Sequence, residues 1–121
     1  MLLRDADAVL AIEPNFGRYS GEESLNLGIV GPYAEHSECA FEVRALFSDE
    51  RGELREEPAT GGLNASLAQW LFATGRAKLP YVVSQGTCAG RKSRLHMSMD
   101  AEGKIWVAGS TTVCISGEVN I

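Results

Sequence analysis

Gly61-Gly62-Leu63-Asn64-Ala65-Ser66-Leu67-Ala68-Gln69-Trp70-Leu71-Phe72-Ala73-Thr74-Gly75 contains no charged residue. Leu63, Leu67, Trp70 and Leu71 recur at helical spacing, while Ala65, Ala68, Phe72 and Ala73 cover much of the remaining circumference. A helix that is apolar nearly all round has to be enclosed. At about 1.5 Å per residue it would be roughly 20 Å long, too short to cross a bilayer. The spacing therefore predicts a central helix over about residues 61–75, wrapped by sheet.

The flanking sequence supplies the wrapping. Residues 39–47 alternate, with Phe41, Val43, Ala45 and Phe47 on one side and Glu42 and Arg44 on the other, the pattern of a half-buried strand. Residues 25–30 read as a buried strand ended by Gly31-Pro32, and residues 81–85 as a strand closed by Gly86. Residues 94–100 alternate again, with Leu95, Met97 and Met99 inward and His96 and Ser98 outward. Ala101-Glu102-Gly103-Lys104 is a hairpin turn into a strand over 105–107. Residues 111–115 and 118–121 are expected to complete the sheet, with bends at Gly109 and Gly117.

At the other end, Leu2-Leu3 reads as the end of a short strand. Asp5 or Asp7 then caps a helical turn over 8–12, stopped before Pro14. Residues 16–24 and the charged stretch 48–57 read as loops. One helix against about six strands is an α+β domain with a mixed, mostly antiparallel sheet, a single lobe spanning residues 1–121.

Composition narrows the classes of partner. The chain has 121 residues, enough for one domain with a real core; 45% hydrophobic and 22% charged residues is ordinary globular usage. A net charge of -5 argues against nucleic acid or an anionic membrane as partner, because both require a cationic surface. Cys39, Cys88 and Cys114 are an odd number without CxxC spacing, which fits buried, reduced thiols. His36 and Cys39 lie three apart but no second pair follows, so no zinc site is expected. The N-terminus lacks an apolar stretch of signal-peptide length and no segment could span a bilayer, so a cytoplasmic protein is expected.

Chemistry concentrates just before the uncharged helix, in Glu56-Glu57-Pro58-Ala59-Thr60-Gly61-Gly62. Pro58 holds Glu57 extended, and Thr60 is positioned to cap the helix. Gly61 and Gly62 permit close approach to the backbone, either of a ligand or of a packing neighbour. The first N–H groups of a helix lack internal partners and carry the positive end of its dipole, so a carboxylate is their natural ligand. Glu57 is either a chemical group or a solvated acid like Glu50, Glu53 and Glu56. Arg91 either meets a ligand carboxylate or pairs with a neighbouring acid. Cys88, in Gly86-Thr87-Cys88-Ala89-Gly90, has no histidine placed in sequence to activate it. His36 and His96 read as surface residues.

Glu57-Pro58-Ala59-Thr60-Gly61 followed by Asn64-Ala65-Ser66-Leu67-Ala68 resembles the Asp-Pro-Ala-Thr-Gly-Ser-Ala-Asn signature of the phenazine-biosynthesis-type (PhzF-like) isomerases. Tyr81 to Gly86, Gly90 to His96 and Ile105 to Gly109 are similar to the next strands of that family in order and spacing, so the resemblance covers most of residues 39–121. It implies a diaminopimelate epimerase-like lobe, two of which face each other across an active site. It further implies proton transfer at carbon with neither metal nor cofactor, the principal acid/base being a glutamate of the N-terminal lobe. The signature Asp and Ser hold substrate, and helix-end amides take its carboxylate.

Here the Asp is Glu57 and the Ser is Gly62, and the lobe carrying the principal glutamate is absent from the 121 residues. The resemblance thus implies Glu57 as the catalytic candidate, with Thr60, Gly61, Gly62, Gly90 and Arg91 around a small carboxylate. Two copies would form a homodimer that presents two Glu57 carboxylates to one cleft. The competing expectations are a non-catalytic module for small carboxylates or another protein, and a remnant active only with its N-terminal lobe.

Overall fold

The computed structural model describes residues 1–15 and 24–120. The loop expected at 16–24 falls, save Ser24, outside those residues, as does Ile121. In chain order the elements are α1 (Ala6–Leu10), β1 (Asn26–Pro32), β2 (Phe41–Ser48), β3 (Leu54–Glu57), α2 (Gly61–Ala73), β4 (Tyr81–Gln85), β5 (Ser93–Met99) and β6 (Ile105–Gly109). The fold is α+β: one open six-stranded sheet, ordered β1-β2-β4-β5-β6, with β3 paired beside β4 on the same edge of β2. All pairings are antiparallel except β2 with β4. The outer edge of β1 is taken by the N-terminus, where Leu3 N–H donates to Val30 O and Val30 N–H to Met1 O.

Period-two alternation sorts the sheet into two faces. On one, Val30, Phe41, Val43, Val83, Leu95 and Met97 pack against Ala68 and Leu71 of α2. Fully burying a leucine such as Leu71 stabilises by about 1.5–3 kcal/mol relative to leaving it in water. α2 ends in a Schellman arrangement: Gly75 has φ +67, its N–H reaches Phe72 O and Arg76 N–H reaches Leu71 O at 2.8 Å. That cap stops the helix at Ala73, two residues short of the expected end.

The enclosure expected of α2 is one-sided. Asn64, Ala68 and Leu71 are buried, but Gly62, Ser66, Gln69 and Ala73 face outward and Trp70 and Phe72 remain 40% and 45% exposed. The sheet is open, so it covers only the inward half of the helix. Met99, expected inward, is also exposed at the strand end.

The opposite face corrects a second expectation. Glu42 and Arg44, expected on a solvated side, are 0% and 1% exposed. α1 covers them, packing Val9 on Ile29 and Leu46. Asp5 caps α1, accepting from Ala8 N–H at 2.8 Å. Arg44 forms a fork to both carboxylate oxygens of Glu56, at 3.0 and 2.7 Å, and donates to the carbonyls of Val9 and Ile12. Glu56 is therefore a buried partner on β3 and not a loop acid, and part of the stretch read as a charged loop is a strand. Tyr33 Oη donates to Glu42 Oε2 at 2.7 Å, while Glu42 Oε1 finds no partner among the described residues. Burial first, then that hydrogen bond, pushes the Tyr33 phenol up to about 12.

Residues 111–120 correct a third. They belong to no strand and are exposed throughout, with Val113, Ile115 and Val119 at 83–92%. Among the thiols only Cys39 is buried; Cys88 and Cys114 are exposed, and all three are free. Among the described residues, no helix is long and apolar enough to cross a membrane.

Candidate functional site

β3 delivers Glu57 to the helix-bearing face because it pairs with Ala45 of β2, whose side chain lies on that face. The chain then turns through Pro58 and Ala59 to Thr60, which begins α2 with extended backbone at φ -130. Thr60 does not cap the helix with its side chain, as expected from its position. Its hydroxyl instead donates to Glu57 Oε2 at 2.6 Å.

That choice is imposed by Gln85, a residue to which sequence reasoning gave no role. Gln85 closes β4, is 0% exposed and points from the sheet into the helix start. Its Oε1 accepts from Thr60 N–H at 3.1 Å and Asn64 Nδ2 at 2.8 Å; its Nε2 donates to Glu57 O and to Thr60 Oγ1, both at 2.9 Å. A buried carboxamide left unpaired is costly, so these four bonds tie the entry segment to the sheet as one unit. The available signal was a glutamine ending an apolar strand, directly before Gly86. Asn64 Nδ2 also donates to Thr60 O at 2.9 Å, while Asn64 Oδ1 has no partner among the described residues.

Two openings flank this clamp. A cavity of about 280 Å³ lies on the helix side of β1 and β2, where Glu57, Thr60 and Asn26 face Ala45, Phe47 and Leu63. Gly28 forms part of its floor, and the Leu63 side chain lies where a Cβ on Gly28 would project. Beyond the Ala59–Gly61 segment, a shallower hollow of about 600 Å³ is bordered by Gly61, Arg91, Lys92 and Arg94, with the end of β6 opposite. The loop carrying Arg91 is seated by Gly86, whose φ of +84 and contact with Pro58 leave no room for a side chain. Arg91 N–H closes the loop on Gly86 O at 2.8 Å.

The structure thus brings Glu57 and Thr60 to one opening and Gly61 and Arg91 to the other. Gly62 and Gly90 line neither. A Cβ at Gly61 or Gly62 would meet nothing within 4 Å, so neither glycine serves close packing. Gly61 borders the hollow beside cations; Arg91 forms no ion pair among the described residues, whereas Arg94 is engaged by Glu38 at 3.1 Å and by Ser84. Gly90 is required by its own φ of +69.

Nucleophilic chemistry finds no support nearby. The Cys88 thiol packs toward Leu10 O, and burial raises its pKa against the lowering influence of Arg44. His36 and His96 are exposed, away from both openings. No group of three or more His, Cys, Asp or Glu gathers in metal-binding reach among the described residues. No family model, curated protein or solved structure matches this chain.

Proposed function

We propose that the amino end of α2 binds the carboxylate of a small acid, and that Glu57 moves a proton at the neighbouring carbon when two copies of the chain close the two openings into one cleft. The observation that carries this reading is the clamp: Gln85 and Thr60 fix Glu57 beside a helix start whose glycine amides are open and flanked by Arg91. Helix-end amides and a guanidinium stabilise an anion without ionising any further group. A carboxylate held in place is the group required for proton abstraction and return. The resemblance to PhzF-like isomerases agrees with this division of labour and asks for no cofactor.

The test is hydrogen–deuterium exchange at the α-carbon of a panel of small hydroxy and amino acids in D₂O, followed by NMR. Glu57→Gln should lower the exchange rate by about 100-fold or more, the ordinary weight of a positioned acid/base. Exchange unchanged by Glu57→Gln would overturn the mechanism.

One observation favours a second reading, a non-catalytic binding module. Glu57 is the only carboxylate lining its cavity, and Gly62 offers no hydroxyl to a ligand. Under that reading the same acids shift the amide resonances of Gly61 and Gly62 while their α-hydrogens never exchange.

A further inference from the structure

The segment after β6 is apolar on one side and covered by nothing. Val113, Ile115 and Val119 occupy odd positions, while Thr112, Cys114, Ser116, Glu118 and Asn120 occupy the even ones. That is the period of a half-buried strand. The odd positions continue the row of Ile105 and Val107, the two β6 side chains that pack on the core beside α2. Among the described residues, 111–120 form no hydrogen bond apart from a contact of the Cys114 thiol with Thr112 O.

The outer edge of β1 is occupied by Met1 and Leu3, while the outer edge of β6 pairs with no strand among the described residues. Pairing with its own β6 requires a reversal, yet no turn or bend occurs between Ser110 and Asn120. A second copy presents the same unpaired β6 edge. It also presents Phe72, nearly half of whose surface is open, beside the Met99 end of β5.

We propose that β6 and residues 111–120 form one continuous strand that pairs antiparallel with its equivalent in a second copy, around a two-fold axis normal to the sheet at Thr112. An axis so placed keeps odd positions opposite odd ones, so both apolar rows share a face. It sets Ile115 opposite Gly109, Val107 opposite Gly117 and Val119 opposite Ile105, large against small in the first two. Each tail covers the other copy's open edge, which removes an aggregation-prone feature from both. At about 3.3 Å per residue the tail is roughly 33 Å long. The paired stretch, Ile105 to Val119 in each copy, is roughly 50 Å long, and with a footprint about 10 Å wide counted on both partners the pairing buries roughly 1,000 Å², the lower bound for a specific interface. The inference concerns this pairing alone and does not depend on the chemistry of the proposed function.

Light scattering on the full chain over a wide dilution series should give a dimer, and the chain truncated after Ser110 a monomer. Val113→Lys with Ile115→Lys in the full chain should also be monomeric, with an unchanged circular-dichroism spectrum showing that the fold survives. In the unmodified chain, hydrogen exchange of amides 111–120 should be slow in the dimer and speed up on dilution. In a Cys88→Ser, Cys114→Ser background, Thr112→Cys should cross-link to itself under mild oxidation. A full chain that is monomeric at every concentration overturns the proposal, whether its tail is free, folded back or taken up by a different protein. So does a dimer that survives truncation or leaves the tail amides fast. Glu57→Gln should remain dimeric, so loss of proton exchange with the dimer intact separates a failure of the chemistry from a failure of the pairing.

Discussion

The two faces of the sheet are held by different physics. On the α2 face, packing is aliphatic and aromatic, and its polar elements, Gln85 and Asn64, gather at the helix start. On the α1 face, a five-residue helix covers the Arg44–Glu56 ion pair, and Glu42 is buried nearby with Tyr33 as its hydrogen-bond donor. An apolar face tolerates small changes of shape because side chains shift against one another. A buried charge tolerates none, because its desolvation is offset only while every partner is present. The helix that dominates the sequence thus covers the forgiving side, and the small one covers the brittle side.

The largest expected effect follows from breaking the ion pair. Arg44→Ala leaves Glu56 buried without its cation and strips the Val9 and Ile12 carbonyls of a donor, and should lower stability by about 3–5 kcal/mol. The double change Arg44→Met with Glu56→Leu should recover most of that loss. Urea unfolding of both variants measures the difference, and equal losses would refute the account.

A milder probe uses one substitution on both faces of β1. A methyl at Gly31 would strike the carbonyl of Asp5, which belongs to the α1 cap and cannot yield. A methyl at Gly28 would strike only the end of the Leu63 side chain, which can rotate away. Gly31→Ala should therefore cost about 1–3 kcal/mol, the range for overpacking, and Gly28→Ala clearly less. The reverse order would mean that α1 is the more compliant of the two.

The smallest effect is visible only in alkali. Tyr81 on the α2 face and Tyr33 near Glu42 both titrate at about 12, the first through burial alone and the second through burial and the Glu42 hydrogen bond. Both folded values exceed the ordinary 10, so the stability they contribute is whole below pH 10 and is lost as pH rises through about 12. Glu42→Gln should lower the Tyr33 value part of the way and leave Tyr81 where it is, as read from the phenol resonances by NMR.

Legibility in the sequence followed the same division. α2, β2, β4, β5 and β6 were readable because apolar side chains repeat at the period of the element, and that signal survives without knowledge of neighbours. The α1 face was not, because Glu42 and Arg44 look solvated until a helix of five residues covers them. β3 was read as loop because it is short and mostly charged, and the one buried partner among its acids, Arg44 for Glu56, comes from another strand. Residues 111–115 and 118–121 were expected to complete the sheet, yet a strand also needs an edge, and the sequence alone does not say whose. Of the site, Glu57, Thr60 and Gly61 stood out through proline, capping and glycine rules. Gln85 did not, since a lone glutamine at a strand end carries no local signature. Gly62, singled out with Gly61 by the glycine rule, and Gly90, drawn in by the resemblance, stand apart from both openings.

The Gln85 carboxamide has a sense of direction. Its amide end donates to the Thr60 oxygen, so the single Thr60 proton must point away, toward Glu57 Oε2. That oxygen is thereby kept as an acceptor. Rotating the carboxamide by half a turn would set donor against donor at Asn64. The arrangement is therefore a ratchet for hydrogen polarity, decided in the core and read out at the rim.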